Sequence, residues 1–89
     1  MVNNRRSEIQ IIGEILRLSV DGAKKTELLY QGNLSYSQLQ NYLHFLIDKE
    51  LLKMHTVKDN GNSSKFYRPT DKGLTFLQDI NRVLSYLSY

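Results

Sequence analysis

The chain has 89 residues, enough for one small domain with a modest core. It contains no cysteine, which excludes disulfide bonds and thiolate metal sites. Twelve Lys and Arg residues stand against nine Asp and Glu residues, and the net charge of +3 permits an anionic partner without requiring one. No stretch is long and apolar enough to span a bilayer, so we expect a soluble, cytoplasmic protein.

The N-terminal segment predicts an amphipathic helix over about residues 4–20. Ile9, Ile12 and Leu16 share one face at helical spacing. Charged and polar residues interrupt the apolar run at the same spacing, which argues against a signal peptide. An Asp-Gly pair at positions 21–22 is a turn signal and is expected to end the helix.

Two further helices follow in quick succession. A short one is predicted over residues 24–31, and a Gly-Asn pair at positions 32–33 ends it. The third has complete helix-start chemistry, because Ser35 fits the N-cap and Gln38, three residues later, completes a capping box. Since the start is fixed, the faces of this helix, over about residues 35–49, are fixed as well.

The third helix divides into an apolar stripe and an uncharged polar face. Leu39, Leu43 and Leu46 form the stripe that we expect to face the core. The rest of the surface carries hydrogen-bonding groups, where an ordinary solvated helix carries Lys and Glu. These candidate residues are Tyr36, Ser37, Gln40, Asn41 and His44.

After the third helix the pattern changes to two short extended runs around Asp-Asn-Gly-Asn at positions 59–62. Asn-Gly is the strongest short hairpin signal, because both residues tolerate positive φ. Lys58 and Lys65 flank this polar turn. Alternation along the runs leaves open which strand residues face the core.

The last segment predicts a helix with Thr70 at its N-cap. Its apolar residues recur at spacings of three, four and three, with a second apolar edge beside them. Because one small domain would not cover so wide a stripe, we expect a dimer interface. The residues assigned to it are Phe76, Leu77, Ile80, Val83, Leu84 and Leu87. The alternative is a monomer in which this helix folds back on the first one.

The order helix, helix-turn-helix, hairpin, helix is that of a winged helix, an α+β fold that is mostly α. The run KKTELLYQGNLSYSQLQNYLHFLIDKELL resembles the helix-turn-helix of small archaeal winged-helix DNA-binding proteins. The run YRPTDKGLTFL resembles the strand-to-helix exit of many winged-helix regulators. The resemblance covers residues 24–77. It implies a winged helix-turn-helix DNA-binding domain over residues 1–69 and a C-terminal dimerisation helix over residues 70–89 of the same compact unit.

Two features depart from the pattern of that family. Related sequences often place Gly after the recognition helix, where Glu50 stands here. A left-handed Glu50 would cost about 1 kcal/mol or more, and the alternative is that the helix ends differently. In addition, only about twenty residues remain for the last helix, whereas chromatin-associated members have a longer C-terminal helix that pairs as an antiparallel coiled coil.

In a helix-turn-helix the second helix enters the major groove, where base edges present donors and acceptors. Asn and Gln can bind adenine through two hydrogen bonds, Ser and His can take either role, and Tyr can contact a thymine methyl group or a phosphate. We therefore expect the polar face of residues 36–44 to read bases; the alternative is a plain solvated surface. The groups assigned to the DNA backbone are Lys24, Lys25, Ser35, Lys58, Lys65 and Arg68.

The sequence gives no sign of catalysis. His44 and His55 have no metal-ligand spacing, and a Gly-rich phosphate loop or nucleophile elbow is missing. We expect no enzyme activity, cofactor, metal or small-molecule ligand. The predicted function is sequence-specific binding of double-stranded DNA by a homodimeric transcriptional regulator associated with the nucleoid. The open alternatives are an architectural chromatin protein, a winged helix for protein–protein contacts and an RNA-binding module.

Overall fold

The computed structural model describes residues 6–87. Within that range the chain forms four helices and one antiparallel hairpin, which confirms the predicted class and order of elements. The helices are α1 (Glu8–Leu18), α2 (Lys25–Gln31), α3 (Tyr36–Asp48) and α4 (Asp71–Tyr86), and the strands are β1 (Leu52–Asp59) and β2 (Asn62–Pro69). Among these helices, none is both long enough and apolar enough to cross a membrane.

Helix α1 begins later than predicted, because a second capping box fixes its start. The Ser7 hydroxyl accepts from the Gln10 N–H at 3.2 Å, and the Gln10 side chain accepts from the Ser7 N–H at 2.7 Å. The helix therefore starts at Glu8, and the predicted helical residues 4 and 5 lie outside the described range. Ile12 is buried as expected, but Ile9 in the first turn is exposed, since the core does not extend to that end of the helix.

Helix α3 has the predicted start and the predicted inward face. The Ser35 hydroxyl accepts from the Gln38 N–H at 3.1 Å, and the Gln38 side chain accepts from the Ser35 N–H at 3.0 Å. Leu39, Leu43 and Leu46 are all buried. Local capping and leucine spacing together fix which side of α3 faces outward.

Helix α3 ends in a Schellman motif. The Leu51 N–H donates to the Leu46 carbonyl at 2.8 Å, and the Glu50 N–H donates to the Ile47 carbonyl at 3.0 Å. Glu50 has φ 60°, so it adopts the left-handed conformation for which related sequences often use Gly. Helix α2 ends in the same way, with Asn33 at φ 53°.

The left-handed residue at the end of α3 gives a stability prediction. Glu50→Gly is expected to raise the free energy of unfolding by about 1 kcal/mol, because glycine adopts positive φ without a Cβ clash. Denaturant unfolding followed by circular dichroism would measure it. Lys49→Gly is the control: Lys49 has φ −84°, so glycine there relieves no strain and is expected to destabilise. A gain of equal size in both variants would contradict strain at Glu50.

The hairpin, or wing, is closed by the two-residue turn that the sequence predicts. Asn60 and Gly61 have φ 50° and 83°, as a type I′ turn requires. The strands pair from Asp59 opposite Asn62 at the tip to Leu52 opposite Pro69 at the base. The sequence left open which face of the hairpin packs against the core. The register shows that it is the face that carries Leu52 and Pro69.

A single residue pair extends the wing on its β2 side. The Ala23 N–H donates to the Tyr67 carbonyl at 3.0 Å, and the Tyr67 N–H donates to the Ala23 carbonyl at 2.8 Å. The loop between α1 and α2 is thereby tied to the hairpin. The sequence did not predict this pairing, because one residue carries no strand periodicity.

Helix α4 packs on α1, and this corrects part of the predicted dimer stripe. Leu77 and Ile80 are only 8% and 2% exposed within the protomer. The Cγ2 atom of Ile80 lies 3.1 Å from the position that a Cβ on Gly13 would take, so the two helices approach closely there. These two residues belong to the core of the protomer, because they cover the apolar face of α1. Leu84 is half-buried against the same core.

The end of α3 and the start of α4 meet at a junction of three hydrogen bonds to consecutive carbonyls. The Lys72 ammonium donates to the Lys49 carbonyl at 2.9 Å, the Thr70 hydroxyl donates to the Glu50 carbonyl at 2.6 Å, and the Thr70 N–H donates to the Leu51 carbonyl at 3.2 Å. The same Thr70 hydroxyl accepts from the N–H of Gly73 at 2.9 Å, as its predicted N-cap role requires. We refer to these residues as the α3–α4 junction.

Candidate nucleic-acid interface

The exposed surface of α3 carries the side chains that the sequence assigns to base reading. Ser37, Gln40, Asn41 and His44 are all exposed on the side of the helix opposite its buried leucines. Tyr36 is 60% exposed and lies at the edge of this face. The structure therefore brings four uncharged hydrogen-bonding side chains together on one accessible helix face, with an aromatic ring beside them.

The two lysines at the start of α2 point in different directions. Lys25 Nζ lies 5.5 Å from the centre of the Tyr36 ring, at the start of α3. Lys24 Nζ lies 5.7 Å from the centre of the Phe66 ring on the wing. Each ammonium therefore contacts an aromatic ring, and only Lys25 adds positive charge beside the polar face of α3.

The ring beneath Lys24 belongs to an aromatic pair that sequence reasoning missed. His55 and Phe66 lie opposite each other in the hairpin, with ring centres 5.9 Å apart and planes inclined by 19°. The sequence does contain a signal for this pair. A two-residue turn at Asn60 and Gly61 fixes the register of the hairpin, and that register places His55 opposite Phe66. The pair strengthens the outer face of the wing.

The wing separates the cations that the sequence grouped together. The register puts Lys58 and Lys65 on one face of the hairpin and Arg68 on the other. The Arg68 guanidinium donates to the Asp21 carbonyl at 3.5 Å, in the loop after α1. Arg68 therefore lies beside that loop and does not join the two lysines at the tip of the wing.

Ser35 lies at the positive end of the α3 dipole. Its hydroxyl oxygen accepts from the Gln38 N–H, and its hydroxyl hydrogen can still donate. A helix N-terminus with a free donor direction is a favourable position for a phosphate oxygen. The geometry is therefore compatible with the backbone role that the sequence assigned to Ser35.

A groove of about 350 Å³ runs along the other edge of α3, against α1. Its lining residues are Glu8, Ile12, Gln38, Asn41, Tyr42 and Phe45. Partial burial, and then the Glu8 carboxylate, raise the pKa of the Tyr42 hydroxyl, while the Arg6 guanidinium lowers it in part. This edge of α3 therefore carries charges of both signs, from Glu8 and Arg6. Phe45, 44% exposed in this groove, was not singled out from the sequence.

Within residues 6–87, no three His, Asp or Glu side chains come close enough together to hold a metal ion. His44 lies on α3, and His55 stacks on Phe66 in the wing. The groups that this surface offers are therefore hydrogen-bond donors and acceptors on α3, with lysines beside the helix and on the wing.

The chain matches known proteins over nearly its whole length. The model of the winged helix-turn-helix family matches residues 5–88. A relative from Methanocaldococcus jannaschii, the uncharacterized protein MJ0290, is 34% identical over 80 residues, which cover 89% of this chain and 34% of that protein. The present chain thus spans about a third of the length of that relative.

Two solved structures illustrate the similarity of fold. Sso10a-2, a DNA-binding protein from Sulfolobus solfataricus, is 25% identical, with a TM-score of 0.78 over 93% of this chain and 83% of that one. A PadR family transcription regulator from Clostridium difficile R20291 is 19% identical, with a TM-score of 0.79 over 88% of this chain and 90% of that one. These similarities confirm the predicted winged-helix fold and its resemblance to archaeal and regulatory members.

Proposed function

The chain belongs to the winged helix-turn-helix family, and on that premise we propose that it is a non-enzymatic, DNA-binding transcriptional regulator acting on double-stranded DNA as a homodimer. The observation that carries the proposal is the exposed face of α3, which presents uncharged hydrogen-bonding side chains before Asp48 in the last turn. The helix is held by a capping box at one end and a Schellman motif at the other. The similarity to Sso10a-2, a DNA-binding protein, supports it. Such binding makes the nucleoid its site of action.

In this proposal α3 enters the major groove with its N-terminus first. Gln40 and Asn41 each carry an amide that can donate to and accept from the edge of adenine. Ser37 and His44 lie beside them and can hydrogen-bond to a neighbouring base, while Tyr36 reaches a thymine methyl group or a phosphate at the edge of the groove. The helix is rigidly capped, so these side chains are presented without an ordering cost for the backbone.

Positive charges around α3 provide the contacts to the DNA backbone. Lys25 lies beside the start of α3, where Ser35 can also donate to a phosphate. Lys58 and Lys65 share one face of the wing and reach the backbone farther along the duplex. Lys24 and Arg68 are assigned weaker backbone contacts, because their charged groups already contact Phe66 and the Asp21 carbonyl.

The proposed dimer uses an edge of α4 that the core covers only at Phe76, which is partly buried against it. Phe76, Val83 and Leu87 follow one another at spacings of seven and four residues, which puts them on one edge of the helix. Val83 is 51% and Leu87 60% exposed. Leu84 borders this edge and is half-buried in the protomer. Burial of the edge against a second copy would remove an apolar surface from water.

The roles assigned to the two groups of residues can be separated by binding measurements. A preferred site is first selected from random duplex DNA. Asn41→Ala and Gln40→Ala are then expected to lose about 1–3 kcal/mol on that site and little on unrelated duplexes. Lys58→Ala and Lys65→Ala are expected to weaken all duplexes alike and to lower the slope of log affinity against log salt by about one each.

Lys53→Ala is a matched control, because Lys53 is exposed on the face of the wing opposite to Lys58. We expect it to change neither the preference for sequence nor the salt slope. Equal behaviour of the α3 and wing variants would contradict the assignment of base reading to α3. It would instead favour sequence-independent binding, as in an architectural chromatin protein.

A further inference from the structure

The α3–α4 junction connects the two helices that matter most for the proposed function. One of them carries the base-reading face, and the other carries the apolar edge assigned to the dimer. The chain between them runs out along the wing and back, so the covalent connection does not by itself fix their relative orientation. The end of α3 and the start of α4 contact each other directly through the three hydrogen bonds to the carbonyls of Lys49, Glu50 and Leu51 and through the close approach of Gly73 to Leu51.

Lys72 has a distinct part in this junction. Its ammonium donates to the carbonyl of Lys49, the C-cap residue of α3, at 2.9 Å. That carbonyl lies at the negative end of the α3 dipole, so a cation there is favoured electrostatically as well as by hydrogen bonding. Thr70 is required to start α4, whereas the Lys72 side chain lies in the first turn and hydrogen-bonds to the C-cap residue of α3. Lys72 can therefore be changed without removing a helix cap.

We propose that Lys72 is a positioning residue for DNA recognition: by tying the start of α4 to the end of α3, it sets the angle between recognition helix and dimer helix, and hence the half-site spacing that the dimer accepts. This inference rests on the proposed function. A dimer fixes the separation of its two recognition helices only if each helix is held at a constant orientation to the dimer axis. A looser junction lets the same dimer accept several spacings with similar affinity.

The first test measures spacing selectivity. Duplexes carry two copies of the selected half-site, with centres separated by about 8 to about 14 base pairs, around one helical turn. Wild type is expected to prefer one spacing sharply. In Lys72→Met, which keeps the aliphatic chain and removes the ammonium, the advantage of the best spacing is expected to fall by about threefold to tenfold. Affinity for an isolated half-site should stay within twofold or so of wild type.

Two further variants separate positioning from a general loss of lysine. Lys72→Arg keeps a cationic donor and is expected to restore the preferred spacing. Lys53→Met removes an exposed lysine outside the junction and is expected to leave the spacing preference unchanged. A Lys72→Met protein that keeps the wild-type spacing profile, or a Lys53→Met protein that broadens it equally, would overturn the inference.

The second test needs no DNA. The chain has no cysteine, so spin labels at His44→Cys on α3 and Gln78→Cys on α4 report the separation of the two helices. Dilution with unlabelled protein restricts the signal to distances within one chain. We expect one narrow distance distribution in wild type and Lys72→Arg, and a broader one in Lys72→Met. An unchanged distribution in Lys72→Met would overturn the positioning role.

The two tests distinguish failure of the inference from failure of the proposed function. If the wild type binds no duplex, or shows no spacing preference, the proposed dimeric DNA binding fails and the spacing part of the inference fails with it. The spin-label distances then still decide whether Lys72 fixes the two helices. A broad distribution combined with an unchanged spacing optimum would overturn the link between the junction and spacing.

Discussion

Replacing Gly73 by alanine is expected to lower the free energy of unfolding by about 3 kcal/mol or more. A Cβ at this position would overlap the Leu51 carbonyl oxygen, and it would lie 3.0 Å from the Leu51 carbonyl carbon and 3.3 Å from the Pro69 Cβ. Backbone atoms cannot move aside as the end of a side chain can. The junction would have to open, which adds the loss of the Thr70 hydrogen bond to Leu51 to the cost of overpacking.

Thermal unfolding followed by circular dichroism would show this loss as a drop in Tm of about 12 °C or more for a domain of this size. Gly13→Ala is the matched control, because Gly13 is also a buried glycine within a helix. Its new Cβ would meet only the Cγ2 atom of Ile80 at 3.1 Å. The helix propensity of alanine offsets that contact, so the change should stay within about 1 kcal/mol. Equal effects of the two substitutions would contradict the close approach at the junction.

The second large effect is expected on assembly, from Val83→Glu combined with Leu87→Glu. Each apolar side chain buried in a dimer is worth roughly 1.5–3 kcal/mol, and placing carboxylates there adds desolvation and repulsion. We expect the double variant to sediment as a monomer at concentrations where the wild type is a dimer. Its affinity for DNA with two half-sites should fall by about a hundredfold or more, since the second contact is no longer intramolecular. Its affinity for a single half-site should change little.

These two residues are preferred to Leu84 because Leu84 packs against the core of the protomer, so a charge there would also destabilise the fold. Gln78→Glu combined with Asn81→Glu serves as control: both residues are on the same helix and are exposed. They lie on the side of α4 opposite the edge formed by Phe76, Val83 and Leu87. A wild type that sediments as a monomer at tens of micromolar would contradict the dimer. So would a control variant, Gln78→Glu with Asn81→Glu, that dissociates as fully as Val83→Glu with Leu87→Glu.

Where a structural feature depends on a few neighbouring residues, the sequence by itself determined it. The start of α3 follows from Ser35 and Gln38, and its inward face follows from leucines at helical spacing. The turn of the wing follows from Asn60-Gly61, and the N-cap of α4 from Thr70. In each case the interacting groups are at most a helical turn or two apart, so tertiary context is not needed to bring them together. The polar candidates on α3 are exposed for the same reason.

The division of the α4 stripe was decided only by the tertiary structure. The residues 77, 80 and 84 and the residues 76, 80, 83 and 87 both have the three-and-four spacing of a helix seam. The sequence therefore could not say which edge covers α1 and which stays exposed. The close approach of Ile80 to Gly13 settles it and turns Val83 and Leu87 outward. The position of Arg68 was also decided only by the tertiary structure, because the strand register puts it on a different face of the wing from Lys58 and Lys65.

The α3–α4 junction was likewise beyond the reach of the sequence, although the residues that form it were recognised as a motif. Thr70, Lys72 and Gly73 belong to the run that resembles the strand-to-helix exit of winged-helix regulators. Their physical reason is a contact with carbonyls some twenty residues earlier in the chain. The left-handed Glu50 lies at the same contact. Local pattern indicated where the helices begin and end, but only the packing of α4 against the end of α3 showed why a glycine and a lysine stand at these positions.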